Sequence, residues 1–182
     1  MLRILLPVLL LLLPALACAT PHTTHSLHHG GLDRTVHLVV PDSAGPGAPL
    51  VLALHGGGGR GDRLDRATRS GLSRGAARRG WVLAMPDGIE KGWNDGRKLT
   101  TDKDKRRAKV DDVGFLEHLV DQLAADGTID PERVFVIGIS NGGFMAYRLA
   151  VAGGRGPRSM TMPDTPGHPR DTPGLQVSRH GR

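Results

Sequence analysis

At 182 residues the chain has the length of one domain, but aromatic residues are only 3% against 26 glycines and 13 prolines, so its core must be built from Val, Leu, Ile and Ala. Lys and Arg exceed Asp and Glu by six, and three of those surplus charges fall in residues 153–182, which leaves the remainder only mildly basic. No basic face interleaved with aromatics appears, which argues against a nucleic-acid partner, and the single cysteine, Cys18, excludes a disulfide within the chain.

Residues 1–18 carry one positive charge at Arg3, a Leu-rich run over 4–13 and small residues at Ala15, Ala17 and Ala19. This pattern predicts an export signal, too short and too interrupted by Pro7 and Pro14 for a membrane span. The expected address is secreted or periplasmic. Two processing routes stay open: cleavage after Ala15-Leu16-Ala17, and lipid anchoring through Cys18. Residues 19–31, with His22, His25, His28 and His29, read as a polar linker. A His-rich tract can bind metal, but no acidic or Cys partner stands near it in sequence.

A β-branched run over 35–40 stops at Pro41, and a Gly/Pro/Ser turn over 42–49 leads into an apolar run over 50–54, which predicts two strands. Four consecutive glycines follow His55. With no side chains to hold a substrate away from the backbone, such a loop can donate an oxyanion hydrogen bond. No Gly-Lys-Ser/Thr follows, so it is not a phosphate loop. His55 reads as a loop-packing residue and not as a catalytic base. Residues 62–79 predict one weakly amphipathic helix, 81–85 a strand closed by Pro86-Asp87-Gly88, and Trp93-Asn94-Asp95-Gly96 a long loop. The charge run over 101–109 reads as a solvated loop that could rim a cleft. Val113, Leu116, Leu119, Val120 and Leu123 recur at helical spacing behind Asp111 and Asp112.

An apolar strand over 134–137 then meets Gly138-Ile139-Ser140-Asn141-Gly142, followed by a helical pattern through Phe144, Tyr147, Leu149 and Val151. Gly-x-Ser-x-Gly between strand and helix is the arrangement of a nucleophile elbow, in which a strained turn lifts the serine clear of its neighbours. The Asn141 N–H, opening the helix, would face a developing oxyanion. Taken alone the five residues also fit a structural strand–Gly–helix turn; the flanking strand and helix favour the nucleophile.

Alternation of strands and helices implies an α/β fold, a mostly parallel sheet with helices on both faces. Several motifs, in this order, together resemble the polyhydroxybutyrate depolymerase-like esterases of the α/β-hydrolase superfamily, a group that includes feruloyl and acetylxylan esterases. They are Gly30-Gly31-Leu32-Asp33-Arg34, the His55 glycine run, Pro86-Asp87-Gly88, Trp93-Asn94, Asp111-Asp112-Val113-Gly114-Phe115 and Ser140-Asn141-Gly142-Gly143. The resemblance covers residues 30–152. It implies Ser140 as nucleophile, an oxyanion hole from Asn141 and the Gly57 region, no cofactor, and as substrate an ester in a polyester or linked to a polysaccharide. A serine peptidase shares the elbow and stays open.

The pattern departs after Ala152. In the superfamily an acid and then a base follow on later strands. Residues 153–182 hold five prolines and no aromatic residue, with neither helical nor strand periodicity. This tail is expected to be disordered, and the hydrolase domain over 32–152 is expected to be incomplete after the nucleophile strand and helix. That would leave 134–137 as a sheet edge and the chain a truncated, inactive representative of an exported serine esterase; the alternative is a non-catalytic remnant or ester-binding module. Asp164 or Asp171 with His168 or His180 keeps the Ser, Asp, His order, but nothing in the tail pattern would hold them rigidly.

Overall fold

In the computed structural model, residues 22–97, 101–152 and 159–160 are described. Among the described residues six strands form one sheet: β1 (His22–His29), β2 (Leu32–Val39), β3 (Ala48–Leu54), β4 (Val82–Pro86), β5 (Ile129–Gly138) and β6 (Ser159–Met160), in the spatial order β1-β2-β4-β3-β5-β6. β1 and β2 form an antiparallel hairpin, and β2 is also antiparallel to β4; β4, β3, β5 and β6 run parallel.

Among the described residues five α-helices connect and cover the sheet, α1 (Gly61–Ala67), α2 (Gly71–Arg79), α3 (Asp102–Arg107), α4 (Asp112–Ala125) and α5 (Asn141–Ala152), with a 3₁₀ turn over Ile89–Lys91. Alternate residues of β2, β3, β4 and β5 feed two cores, as the two-residue period of a strand requires. One face carries Leu50, Leu52, Leu54, Val82, Val134 and Val136 beneath Phe115, Leu116 and Leu119 of α4 and Met145, Ala146 and Leu149 of α5. The other face carries Val39, Ala53, Leu83 and Met85 beneath Leu64 of α1 and Ala76 of α2. Burial on both faces is what parallel strands need, and it accounts for the near-continuous apolar runs in β3 and β4.

Four expectations need correction. Residues 22–29 are not a linker but β1. Gly30 and Gly31, at φ 58° and 75°, make the two-residue turn whose positive φ values match strand twist, and β1 then pairs with β2 from His22↔Val39 to His29↔Leu32. An edge strand needs only its backbone and a little apolar cover, here Leu27, so its polar composition misled the reading. Its histidines also find acids remote in sequence: His29 Nε2 lies 3.0 Å from Asp111 Oδ2 and His22 Nε2 lies 3.7 Å from Asp65 Oδ2.

The helix expected over 62–79 is two helices. Arg69 and Ser70 take left-handed backbone, and the buried Asp65 carboxylate accepts the Ser73 N–H at 3.0 Å, capping the start of α2 from outside it. The charge run over 101–109 contains helix α3, nucleated by a capping box in which Thr101 and Asp104 satisfy each other's backbone N–H groups. Lastly, β5 is not left as a bare edge: Phe135 and Val136 pair with Ser159 and Met160 of β6. The rest of the tail, with Asp164, His168, Asp171 and His180, lies outside the described residues, as do residues 1–21 with Cys18. Among the described residues no helix is long and apolar enough to cross a membrane.

Candidate active site

β3 and β5 are parallel neighbours in register, with Leu54 opposite Gly138, so the loops that leave them emerge side by side. The Ile139 N–H extends that pairing by donating to the Leu54 carbonyl at 3.2 Å. The chain then turns sharply. Ser140 has φ 52°, a left-handed conformation that side chains rarely adopt, and it is exposed. Its carbonyl already accepts the Phe144 N–H at 3.1 Å, so helix α5 starts without a break.

Two glycines make so tight a turn possible. A Cβ on Gly138 would lie 2.6 Å from the Gly143 nitrogen, and one on Gly142 would lie 2.5 Å from the His55 carbonyl oxygen. The glycine loop lies against this turn: a Cβ on Gly56 would be 3.6 Å from the Ser140 Cβ, and one on Gly57 would be 3.9 Å from the Asn141 Cβ. Within the loop the Gly59 N–H donates to Gly56 at 3.0 Å and the Gly58 N–H to Lys91 at 2.7 Å. Among the described residues, the Gly57 and Asn141 N–H groups have no backbone acceptor. Ser140, Asn141 and Gly57 are thus gathered at the C-terminal ends of two adjacent parallel strands, where open α/β sheets place their sites.

His55 is buried, and both ring nitrogens are engaged: Nε2 accepts the Gly88 N–H at 2.9 Å, and Nδ1 lies 2.8 Å from the Gly56 carbonyl. That pairing assigns the neutral tautomer with its proton on Nδ1. Burial lowers its pKa, outweighing the Gly56 hydrogen bond and the Asp87 charge that act to raise it. It is a packing residue, as its place in the sequence implied. Among the described residues no imidazole hydrogen-bonds Ser140.

Beneath the elbow lies a polar network that sequence reasoning missed. The Asn141 side chain is buried; its Oδ1 accepts the Trp93 N–H at 2.8 Å, while its Nδ2 donates to the Trp93 carbonyl at 3.1 Å and to Asp95 Oδ2 at 2.7 Å. The Trp93 indole N–H donates to the His55 carbonyl at 2.9 Å. Arg97 clasps Asp95 at 2.7 Å and lays its guanidinium 3.7 Å from the Phe144 ring centroid. Burial pushes the Asp95 carboxyl up, but hydrogen bonds from Arg97 and Asn141 together outweigh it and hold the pKa below the ordinary value. Asn94 then links to a second buried group: its N–H donates to Asp112 Oδ2 at 2.7 Å, and Asp112 Oδ1 accepts from Arg34 at 2.6 Å. The asparagine between Ser140 and Gly142 and the Trp93-Asn94-Asp95 run were visible in sequence, but nothing there shows that they meet.

A cleft of about 230 Å³ is lined by Arg34, Arg60, Asp87 and residues 88–91, and Ser140 is not among its walls. The chemistry of the elbow outweighs the depth of that cleft in placing the site. His37, Asp62 and Asp87 bring ligand atoms within 4.8 Å of one another, but both carboxylates already have cations: Arg60 sits 3.0 Å from Asp87 and 3.6 Å from Asp62, and Arg66 pairs with Asp62 as well.

No protein-family model matches the chain. It is 40% identical over 104 residues to NocK of Nocardia uniformis subsp. tsuyamanensis, a protein named as an esterase; the match takes in 57% of this chain and 29% of NocK. It is 28% identical over 117 residues to the bifunctional acetylxylan esterase/xylanase XynS20E of Neocallimastix patriciarum, covering 64% of this chain and 16% of that one. The chain therefore spans less than a third of the length of either relative. Among solved structures, the acetyl xylan esterase from Aspergillus awamori superposes with TM-score 0.59 at 16% identity, over 77% of this chain and 51% of that one. Likeness of this kind shows the fold, which is a partial α/β-hydrolase fold.

Proposed function

We propose that the chain carries the nucleophile and oxyanion hole of a serine hydrolase that cleaves carboxylic esters. One observation supports this above the others: Ser140 stands exposed at positive φ on a glycine-flanked elbow, with the Gly56 and Gly57 backbone packed against it. Strain of this kind persists where surrounding structure imposes it, and it concentrates at functional sites.

In this reading Ser140 Oγ attacks the ester carbonyl carbon while its proton passes to a base. The carbonyl oxygen, now negative, accepts hydrogen bonds from the Gly57 and Asn141 N–H groups. Collapse expels the alcohol, which takes the proton, and leaves an acyl group on Ser140 that water then removes. The Asn141 N–H suits the part because it belongs to the first turn of α5 and has no helical acceptor.

The finer reading is an exported enzyme acting on acyl esters of a polysaccharide or on a polyester. Export rests on the pattern of residues 1–18, and the polysaccharide alternative draws on the relatives named for acetylxylan. Hydrolysis of p-nitrophenyl butyrate and of acetylated xylan, together with labelling by a fluorophosphonate, tests the proposal. Turnover or labelling that persists in Ser140→Ala would refute it. Preferential cleavage of a peptide anilide would make the enzyme a peptidase, and ester binding without turnover would make the chain a binding module.

A further inference from the structure

The two halves of the proposed oxyanion hole, at Gly57 and Asn141, lie 84 residues apart in sequence, and one residue joins them. We infer that Trp93, gripped by the Asn141 carboxamide, is a positioning strut that fixes the glycine loop relative to the nucleophile elbow. The inference rests on the oxyanion reading of the same site and adds residues to it that touch no substrate.

Trp93 is held at both ends. Its backbone N–H and carbonyl are both bound by the Asn141 side chain, at 2.8 and 3.1 Å, so the residue whose backbone N–H is one proposed oxyanion donor also fixes where Trp93 lies. Its indole N–H reaches the His55 carbonyl at 2.9 Å, at the root of the glycine loop, and its ring packs 5.0 Å from the His55 ring. The loop is held on its far side as well: His55 Nε2 accepts the Gly88 N–H, and the Gly58 N–H donates to Lys91. Asp95 completes the grip by accepting from Asn141 Nδ2, which settles the orientation of the carboxamide.

Trp93 is 1% exposed and Asn141 7% exposed, so these bonds form away from water, where a missing partner is not replaced by solvent. A glycine run has little rigidity of its own. Oxyanion donors act only if their positions are set before charge develops, so the strut supplies the rigidity that the sequence of the loop lacks.

Trp93→Phe keeps an aromatic ring but removes the indole donor together with the bulk of the second ring; Asn141→Ala removes the carboxamide and keeps the backbone N–H. Amide hydrogen exchange in the 182-residue chain reads the strut without any need for turnover. In both variants exchange across residues 55–59 should rise roughly 2- to 10-fold, as expected for loss of one or two hydrogen bonds, while β3 and β5 keep their protection. With p-nitrophenyl acetate, kcat should fall on the order of 10- to 100-fold at unchanged KM. Unaltered exchange over 55–59 in both variants would overturn the strut. A raised KM at constant kcat would also overturn it, placing Trp93 in substrate binding. Wild-type protein without Ser140-dependent hydrolysis would instead refute the esterase reading, while exchange would still decide the strut. Should Trp93→Phe fail to fold, seen as lost protection in β3 and β5, Asn141→Ala carries the same test.

Discussion

Gly142 packs directly against the end of β3: a side chain there would bring its Cβ within 2.7 Å of the Leu54 carbonyl carbon. The same carbonyl group accepts the Ile139 N–H at 3.2 Å, so the last strand pairing and the first turn of α5 share one point. The turn that exposes Ser140 therefore depends on backbone meeting backbone with nothing between.

Gly142→Ala should accordingly disrupt the elbow from beneath. Its Cβ meets rigid backbone and no flexible side chain, so relief requires α5 to move off the sheet. A loss of about 1–3 kcal/mol is the usual cost of such overpacking, and urea denaturation would measure it. Gly45→Ala, where a Cβ meets nothing within 4 Å, is the control and should change stability little.

Arg34 and Asp112 form an ion pair in which both side chains are 1% exposed. Arg34 also lies 3.8 Å from the Phe115 ring centroid, and Asp112 holds the Asn94 N–H, so the pair connects β2 to α4 and to the loop under the site. Arg34→Met leaves a buried carboxylate without its cation and should cost about 3–5 kcal/mol. Arg34→Met combined with Asp112→Leu should recover much of that, because neither charge then remains buried. A double variant no more stable than the single one would show that Asp112 is needed chiefly for Asn94.

The pH dependence of stability should carry the signature of Asp95. Its carboxyl, although burial pushes it up, is held below its ordinary value by Arg97 and Asn141. A depressed carboxylate contributes stability that is present above its unfolded value, near 3.8, and is lost as pH falls through its folded one. Wild type should therefore exceed Asp95→Asn in thermal stability at neutral pH, and the two should converge as acid protonates Asp95. Asp112 acts in the opposite sense: burial raises its carboxyl despite Asn94 and Arg34, so its share favours the folded state at low pH and is lost as pH rises through the raised value. An Asp95→Asn melting curve parallel to wild type from pH 7 to pH 3 would exclude the Asp95 contribution.

What sequence could show depended on whether a feature is local. The strand over 134–137, the glycine-flanked serine and the apolar spacing of α4 are short-range patterns, and each stands where the pattern placed it. The glycine loop could be recognised for the same reason. Misreadings arose where a distant group decides. The polar His22–His29 strand is an edge with β2 as its partner, and the break at Arg69 and Ser70 is set by the Asp65 carboxylate; α3, by contrast, starts at a local capping box of Thr101 and Asp104 that the charge run masked, and Arg106 ties it to Glu90 at 2.7 Å. The grip of Asn141 on Trp93 spans 48 residues and has no periodicity to announce it.

Ser140 itself yields a prediction that needs no substrate. At φ 52° it occupies the left-handed region, where an L side chain crowds the following carbonyl oxygen at a cost of roughly 1–2 kcal/mol. Glycine lacks that crowding, but it releases more backbone freedom in the unfolded chain, which costs roughly 0.5–1 kcal/mol. The first effect exceeds the second. Ser140→Gly should therefore be more stable than wild type by several tenths to about 1 kcal/mol, whereas Ser140→Ala, with its Cβ retained, should gain little. Because the exposed hydroxyl makes no hydrogen bond among the described residues, its removal should not obscure the comparison. Urea denaturation of the three proteins side by side gives the answer. Stabilisation by glycine alone would show that the fold sustains strain at this residue to present its hydroxyl, and a Ser140→Gly protein less stable than Ser140→Ala would show that the turn is relaxed and that the strain argument for the site fails.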